Sequence, residues 1–234
     1  MTPLRLIAIG DLMTEAAGPA LPHLAVALRE AWPGVPFDLV NLGRSGTRAG
    51  LLLWRLTHDE WIGGRLCPSV VSLQPDIVLV ESCAHVNAAD GVIGDDGLKH
   101  FRDMHWRVVA TLREKSAADL VEVVTLPPDG EHLLETAAAY VHTPAAIRRW
   151  MAKDRRVYLE EAVRMAQAWE LPLANVYQAA LDAMAKGVPL ARFIAALDWQ
   201  QPSEEGHRLT ARIVVEALRQ HHVVEERLAE RAGS

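Results

Sequence analysis

The chain of 234 residues has little cysteine: only Cys67 and Cys83, which fall in different expected elements. Two such thiols make neither a disulfide framework nor a zinc site of recognisable spacing, so both read as reduced thiols of a cytoplasmic protein. Positive charge is in deficit, with 24 Lys and Arg against 30 Asp and Glu and a formal net charge of −6. No broad basic field remains to attract a phosphate backbone, which argues against nucleic acid as a partner. Long apolar runs are missing as well: Leu6 to Ile9 sits between Arg5 and Asp11, too short for a signal-peptide core or a membrane span. Repeats, low-complexity stretches and linker composition are absent, and a chain 50% hydrophobic and 23% charged does not read as disordered. Length and even composition predict one domain over residues 1–234, with the charged tail after about Val224 frayed and the oligomeric state open.

What is present is an alternation of strand and helix patterns. Short apolar runs predict strands at Leu4 to Ile9, Phe37 to Leu42, Ile77 to Val80 and Leu120 to Leu126, with a short fifth between Leu171 and Val176. Helical spacing fits Leu21, Leu24, Ala25 and Leu28, then the stretch around Leu51 to Leu56, Phe101 to Lys115, Ala145 to Ala168 and Gln178 to Lys186. A last helix starts after Pro202 with Ser203 as N-cap. The run Ile77-Val78-Leu79-Val80 suits a central strand covered on both faces. Right-handed crossovers between such units predict a three-layer α/β/α flavodoxin-like fold, with a five-stranded parallel sheet in the order 2-1-3-4-5 and ligands at the strand carboxyl ends.

Four short blocks lie at those ends: Gly10-Asp11-Leu12-Met13-Thr14, Asn41-Leu42-Gly43-Arg44-Ser45-Gly46, Glu81-Ser82-Cys83-Ala84-His85-Val86 and Asp198-Trp199-Gln200-Gln201-Pro202. Together they resemble the motifs of the SGNH (GDSL) hydrolase superfamily over nearly the whole chain, and Ser203 to Leu209 resembles the opening of that family's last helix. Leu12 stands where the family has its serine nucleophile. The second block is intact, and the resemblance makes Gly43 a backbone donor to an oxyanion hole. The third block, normally Gly-x-Asn-Asp, aligns His85 with the asparagine, or Asn87 if slid by two residues. Asp198 is the retained triad-like acid, while Gln201 replaces the histidine. The resemblance implies a degenerate pocket of Asp11, Leu12, Gly43, Arg44, Ser45, His85, Asn87, Asp198 and Gln201, with no cofactor and no metal. It also supplies the ligand class, a small acylated or carbohydrate-like ester.

Leucine cannot attack a carbonyl and glutamine has no titratable group near neutral pH, so nucleophile and general base are both vacant. The sequence therefore reads as an esterase-like pseudoenzyme that binds a small ligand. One alternative is an active esterase rebuilt from Ser45 or Thr14 with His85 and Asp198; another is a protein–protein interaction module on the same fold. Plainer readings stand beside these: Ser45 and Asp198 as turn residues, Thr14 as a helix cap, Ser82 as buried and His207 as a helix residue. Asp90, Asp95 and Asp96 miss the spacing of an EF-hand loop, and His100 and His105 are five apart, not four, so metal is not expected. Trp150 and Trp169 read as core, and Arg148, Arg149, Lys153, Arg155 and Arg156 as a solvated helix face.

Overall fold

Alternation along the first strand, β1 (Leu4–Ile9), sends Leu4, Leu6 and Ala8 to one face of the sheet and Ile7 and Ile9 to the other. The computed structural model describes residues 2–62, 64–87, 95–137 and 140–233. Its further strands are β2 (Phe37–Asn41), β3 (Glu60–Ile62), β4 (Arg65–Cys67), β5 (Ile77–Glu81), β6 (Asp119–Val124) and β7 (Leu173–Asn175). Five of them form a parallel sheet in the order β2-β1-β5-β6-β7, the expected 2-1-3-4-5 in terms of those five strands. Leu6 pairs with Leu39 on one side and Ile77 on the other, which fixes the register of the sheet's centre. The antiparallel hairpin β3–β4 was not anticipated; three-residue strands are too short to show a period.

Nine helices occur among the described residues: α1 (Leu12–Glu15), α2 (Pro22–Ala31), α3 (Ala49–Thr57), α4 (Ala84–Asn87), α5 (Asp95–Lys115), α6 (Ala145–Ala168), α7 (Val176–Ala185), α8 (Glu204–Gln220) and α9 (Val223–Gly233). Leu24 and Leu28 of α2 and Val214 and Leu218 of α8 close over Leu4, Leu6, Ile77 and Leu79. On the opposite face Leu52 and Leu56 of α3 and Val108 and Leu112 of α5 cover Ile7, Val78 and Val80. Each such fully buried side chain contributes about 1.5–3 kcal/mol relative to exposure, so both helical layers are fixed by the same alternating strands. Helix α8 starts as the sequence predicts: the Ser203 hydroxyl accepts from the Gly206 N–H.

Three expectations fail at this level. The tail after Val224 is not frayed but forms α9, because Val223 and Val224 are buried and Arg227 and Arg231 reach Asp119 and Asp76 at the amino ends of β6 and β5. Trp150 lies on the outside of α6, 47% exposed, whereas Trp169 packs inward on His105. The basic residues of α6 do not share one solvated face: Arg149 and Lys153 are exposed, while Arg155 points into the protein at 6% exposure. No helix among the described residues is long and apolar enough to cross a membrane.

Candidate functional site at the strand carboxyl ends

Close packing of the first two loops begins at Gly10 and Gly43. A Cβ at Gly10 would lie 2.6 Å from the Glu81 Cβ and against the Thr14 hydroxyl; one at Gly43 would lie 2.6 Å from the Thr14 Cβ and against the Glu15 backbone. Only glycine lets α1 sit this close to β2 and β5. The Arg44 N–H donates to the Gly10 carbonyl at 3.1 Å, which locks the two loops together. Asp11, not Thr14, caps α1, its Oδ1 accepting from the Met13 N–H at 2.8 Å. Thr14 is instead packed between the glycine loops, so its expected capping role is corrected.

Asp11 also ties β1 to β5. Its N–H donates to Glu81 Oε2 at 2.9 Å, and Glu81 Oε1 accepts from the Cys83 N–H at 2.8 Å. Both carboxyls are buried, and neighbouring buried carboxylates cannot both ionise. Burial, then the charge of Asp11, pushes Glu81 well above the usual carboxylate range, and burial also raises Asp11. Asp11 Oδ2 has no hydrogen-bond partner among the described residues. Cys83 follows with φ +55°, a left-handed conformation. Ser82 is buried, as expected.

His85 is fully enclosed. Its Nε2–H donates to the Leu126 carbonyl at 3.1 Å, and Nδ1 has no partner among the described residues. Burial, reinforced by the positive charge of Arg155, pushes its pKa down to about 3, so the ring is neutral at ordinary pH. Arg155 itself bonds Gln200 Oε1 at 2.6 Å, and its charge acts on Asp11 and Asp198 as well. A buried guanidinium thus stands among the strand-end residues, where sequence reasoning saw only a basic helix face. Five positive residues within nine positions hid the one that turns inward.

Asp198 is buried at 8% exposure, with Oδ1 accepting from the Gln200 and Gln201 N–H groups at 3.0 and 2.8 Å. It caps its own turn. The Gln201 side chain is half-buried. The Gly43 N–H donates to Asn41 Oδ1 at 2.8 Å, so the donor assigned by resemblance to an oxyanion hole is engaged locally. Ser45 is exposed, its N–H on Glu15 Oε2 at 2.9 Å, and no hydrogen bond joins it to His85. Arg44 pairs with Glu60 of the hairpin at 2.7 Å. Leu12 is half-buried in the first turn of α1. The structure thus brings Asp11, Glu81, His85, Arg155, Asp198 and Gln200 into one polar cluster, with Ser45 outside it. Asp90 and the side chains of Asn87 and Asp95 fall outside the described residues. His105 is buried against Glu122 at 3.0 Å, His100 is exposed, and no metal-competent group of side chains occurs among the described residues.

No protein-family model matches the chain, and no curated protein matches its sequence. Solved structures do match. Axe2, an acetylxylan esterase from Geobacillus stearothermophilus, superimposes with a TM-score of 0.65 at 16% identity, covering 92% of this chain and 94% of that one. LAE5, an alpha/beta hydrolase enzyme from the metagenome of Lake Arreo, Spain, gives a TM-score of 0.63 at 19% identity, covering 92% and 96%. Identities this low establish likeness of fold and nothing finer. The five-stranded parallel order with helices on both faces is thus a three-layer α/β/α fold that this chain shares with both structures.

Proposed function

We propose that this protein uses an esterase-type fold without serine-esterase chemistry and binds a small acylated or carbohydrate-like ligand at its strand-end crevice. The observation that carries the proposal is that the candidate Ser45 hydroxyl is not aimed at a base: Ser45 is exposed and makes no hydrogen bond to enclosed His85. Leu12 has no hydroxyl, the His85 Nε2–H is held by the Leu126 carbonyl, and Asp198 caps its own turn. Acyl transfer needs these groups aimed at one another and at an oxyanion donor, and the Gly43 N–H is taken by Asn41. Structures described as catalytic mutants of Axe2 replace a serine, an aspartate and a histidine, the last two three residues apart as Asp198 and Gln201 are here. The ligand class follows from that esterase; the Ser45 hydroxyl and Gln201 amide, without hydrogen bonds among the described residues, are the groups available to hold such a ligand.

A rebuilt esterase from Ser45 or Thr14 with His85 and Asp198 is opposed by the separation of exposed Ser45 from enclosed His85. An interaction module has one observation in its favour: Trp61 and Leu66 of the hairpin are 72% and 52% exposed. Hydrolysis of an aryl acetate and of acetylated xylo-oligosaccharide tests the main reading. The expected rate equals that of a heat-denatured control. Robust turnover that disappears in Ser45→Ala or His85→Ala overturns it.

A further inference from the structure

Beneath the strand ends, on the face of the sheet covered by α2 and α8, the protein holds a cavity of about 70 Å³. That is about five times the roughly 15 Å³ needed to hold one water. Ala8, Leu79 and Val123 form its floor, and Leu24, Ala211 and Val214 its walls. Its polar lining among the described residues is Thr14, Glu81, Thr125, Thr210 and two histidines. Thr125 and Glu81 mark the inner end, and half-buried His23 and His207, stacked with ring centroids 5.8 Å apart, stand at the rim with Pro202 and Thr210.

Thr125 is the informative residue. It is 6% exposed, its Oγ1 has no hydrogen-bond partner among the described residues, and it borders empty space. A buried hydroxyl left unsatisfied costs about 1–3 kcal/mol, and a guest bearing one polar atom at that end would remove the deficit. The apolar walls could not satisfy the several hydroxyls of a sugar. An anion would meet the Glu81 carboxyl, and a cation would have to shed its hydration among alkyl side chains.

We propose that this cavity binds a small uncharged aliphatic molecule with a single hydroxyl or carbonyl head, which hydrogen-bonds the Thr125 Oγ1 while its chain lies along Ala8, Leu24 and Val214. The site borders the crevice of Leu12, Gly43 and Gln201 through Met13, Thr14 and Pro202, and it would be filled whether or not that crevice hydrolyses esters. Failure of the hydrolysis reading and failure of this one are therefore separate results.

Pentan-1-ol, with n-pentane as the headless control, probes it by titration of isotope-labelled methyl signals of Leu24 and Val214. The expected result is saturable one-to-one binding of the alcohol. Thr125→Val, which keeps the shape and removes the hydroxyl, should weaken pentan-1-ol about five- to tenfold, the worth of one net hydrogen bond, and leave pentane unchanged. Ala211→Leu should fill the space and weaken both ligands at least tenfold. Absence of saturable shifts at these methyls overturns the proposal, as does binding that Ala211→Leu leaves unaltered. Should Ala211→Leu fail to fold, the isosteric Thr125→Val decides alone: unchanged preference for alcohol over alkane overturns the assignment of the head group.

Discussion

At the residue scale, His85 shows how burial changes the chemistry of a side chain. Folding buries the imidazole as the Nε2–H tautomer, and its pKa falls to about 3 because charging it means desolvating a cation beside Arg155. The unfolded chain binds that proton near pH 6.5 and the folded chain near 3, so the folded state loses stability as pH falls through this window. Asp11, Glu81 and Glu122 act with opposite sign, since their raised values make the folded state hold protons that the unfolded chain releases above about pH 4. Comparing His85→Gln with the parent by urea denaturation between pH 6.5 and 3.5 isolates the histidine. The parent should lose about 1.4 kcal/mol per pH unit more than the variant. Equal slopes would mean that the ring is charged in the fold. The sequence made His85 a site candidate and flagged the absences at Leu12 and Gln201. It could not reveal that Gly43 and Asp198 are engaged locally, because hydrogen bonds to Asn41 and to the Gln200 and Gln201 amides depend on backbone geometry and not on residue type. Arg155 was misread because its direction depends on the rotation of α6 against Gln200.

Elements were more legible than residues wherever burial imposed a period. β1 and α6 match their expected bounds, and β5 differs by one residue, since each has a continuous apolar run or a long amphipathic stripe. The hairpin carried no such signal, and α9 was obscured by its charge. Its anchoring comes from Val223, Val224 and Leu228 against the core, from Glu225 on the Trp32 N–H and from two arginines, in a segment otherwise rich in solvated residues. Removing residues 223–234 should cost about 5–8 kcal/mol of unfolding free energy, the burial of Val223 and Val224 together with the contacts of Arg227, Leu228 and Arg231. A truncation after Glu226 keeps both valines and loses the partly exposed pairs of Arg227 and Arg231 and the partly buried Leu228, about 2–3 kcal/mol. Guanidinium melts of the two truncations give the comparison. If both lose the same amount, Arg227, Leu228 and Arg231 and not the two valines hold α9 in place.

On the scale of the whole molecule, the parallel sheet and the glycine-packed loops at its carboxyl ends surround an enclosed, internally bonded polar cluster. Fold and reaction are separable, since the scaffold needs close loop packing whereas catalysis needs an aimed hydroxyl, a titratable base and an open oxyanion donor. The central claim is that no hydroxyl in this protein is activated. A fluorophosphonate reports on that claim directly, because it reacts with an activated serine or threonine whatever acyl group the natural ligand carries. Intact-mass measurement after prolonged incubation at neutral pH should show the unmodified chain alone. A stoichiometric adduct mapping to Ser45 or Thr14, and abolished by His85→Ala, would contradict the account.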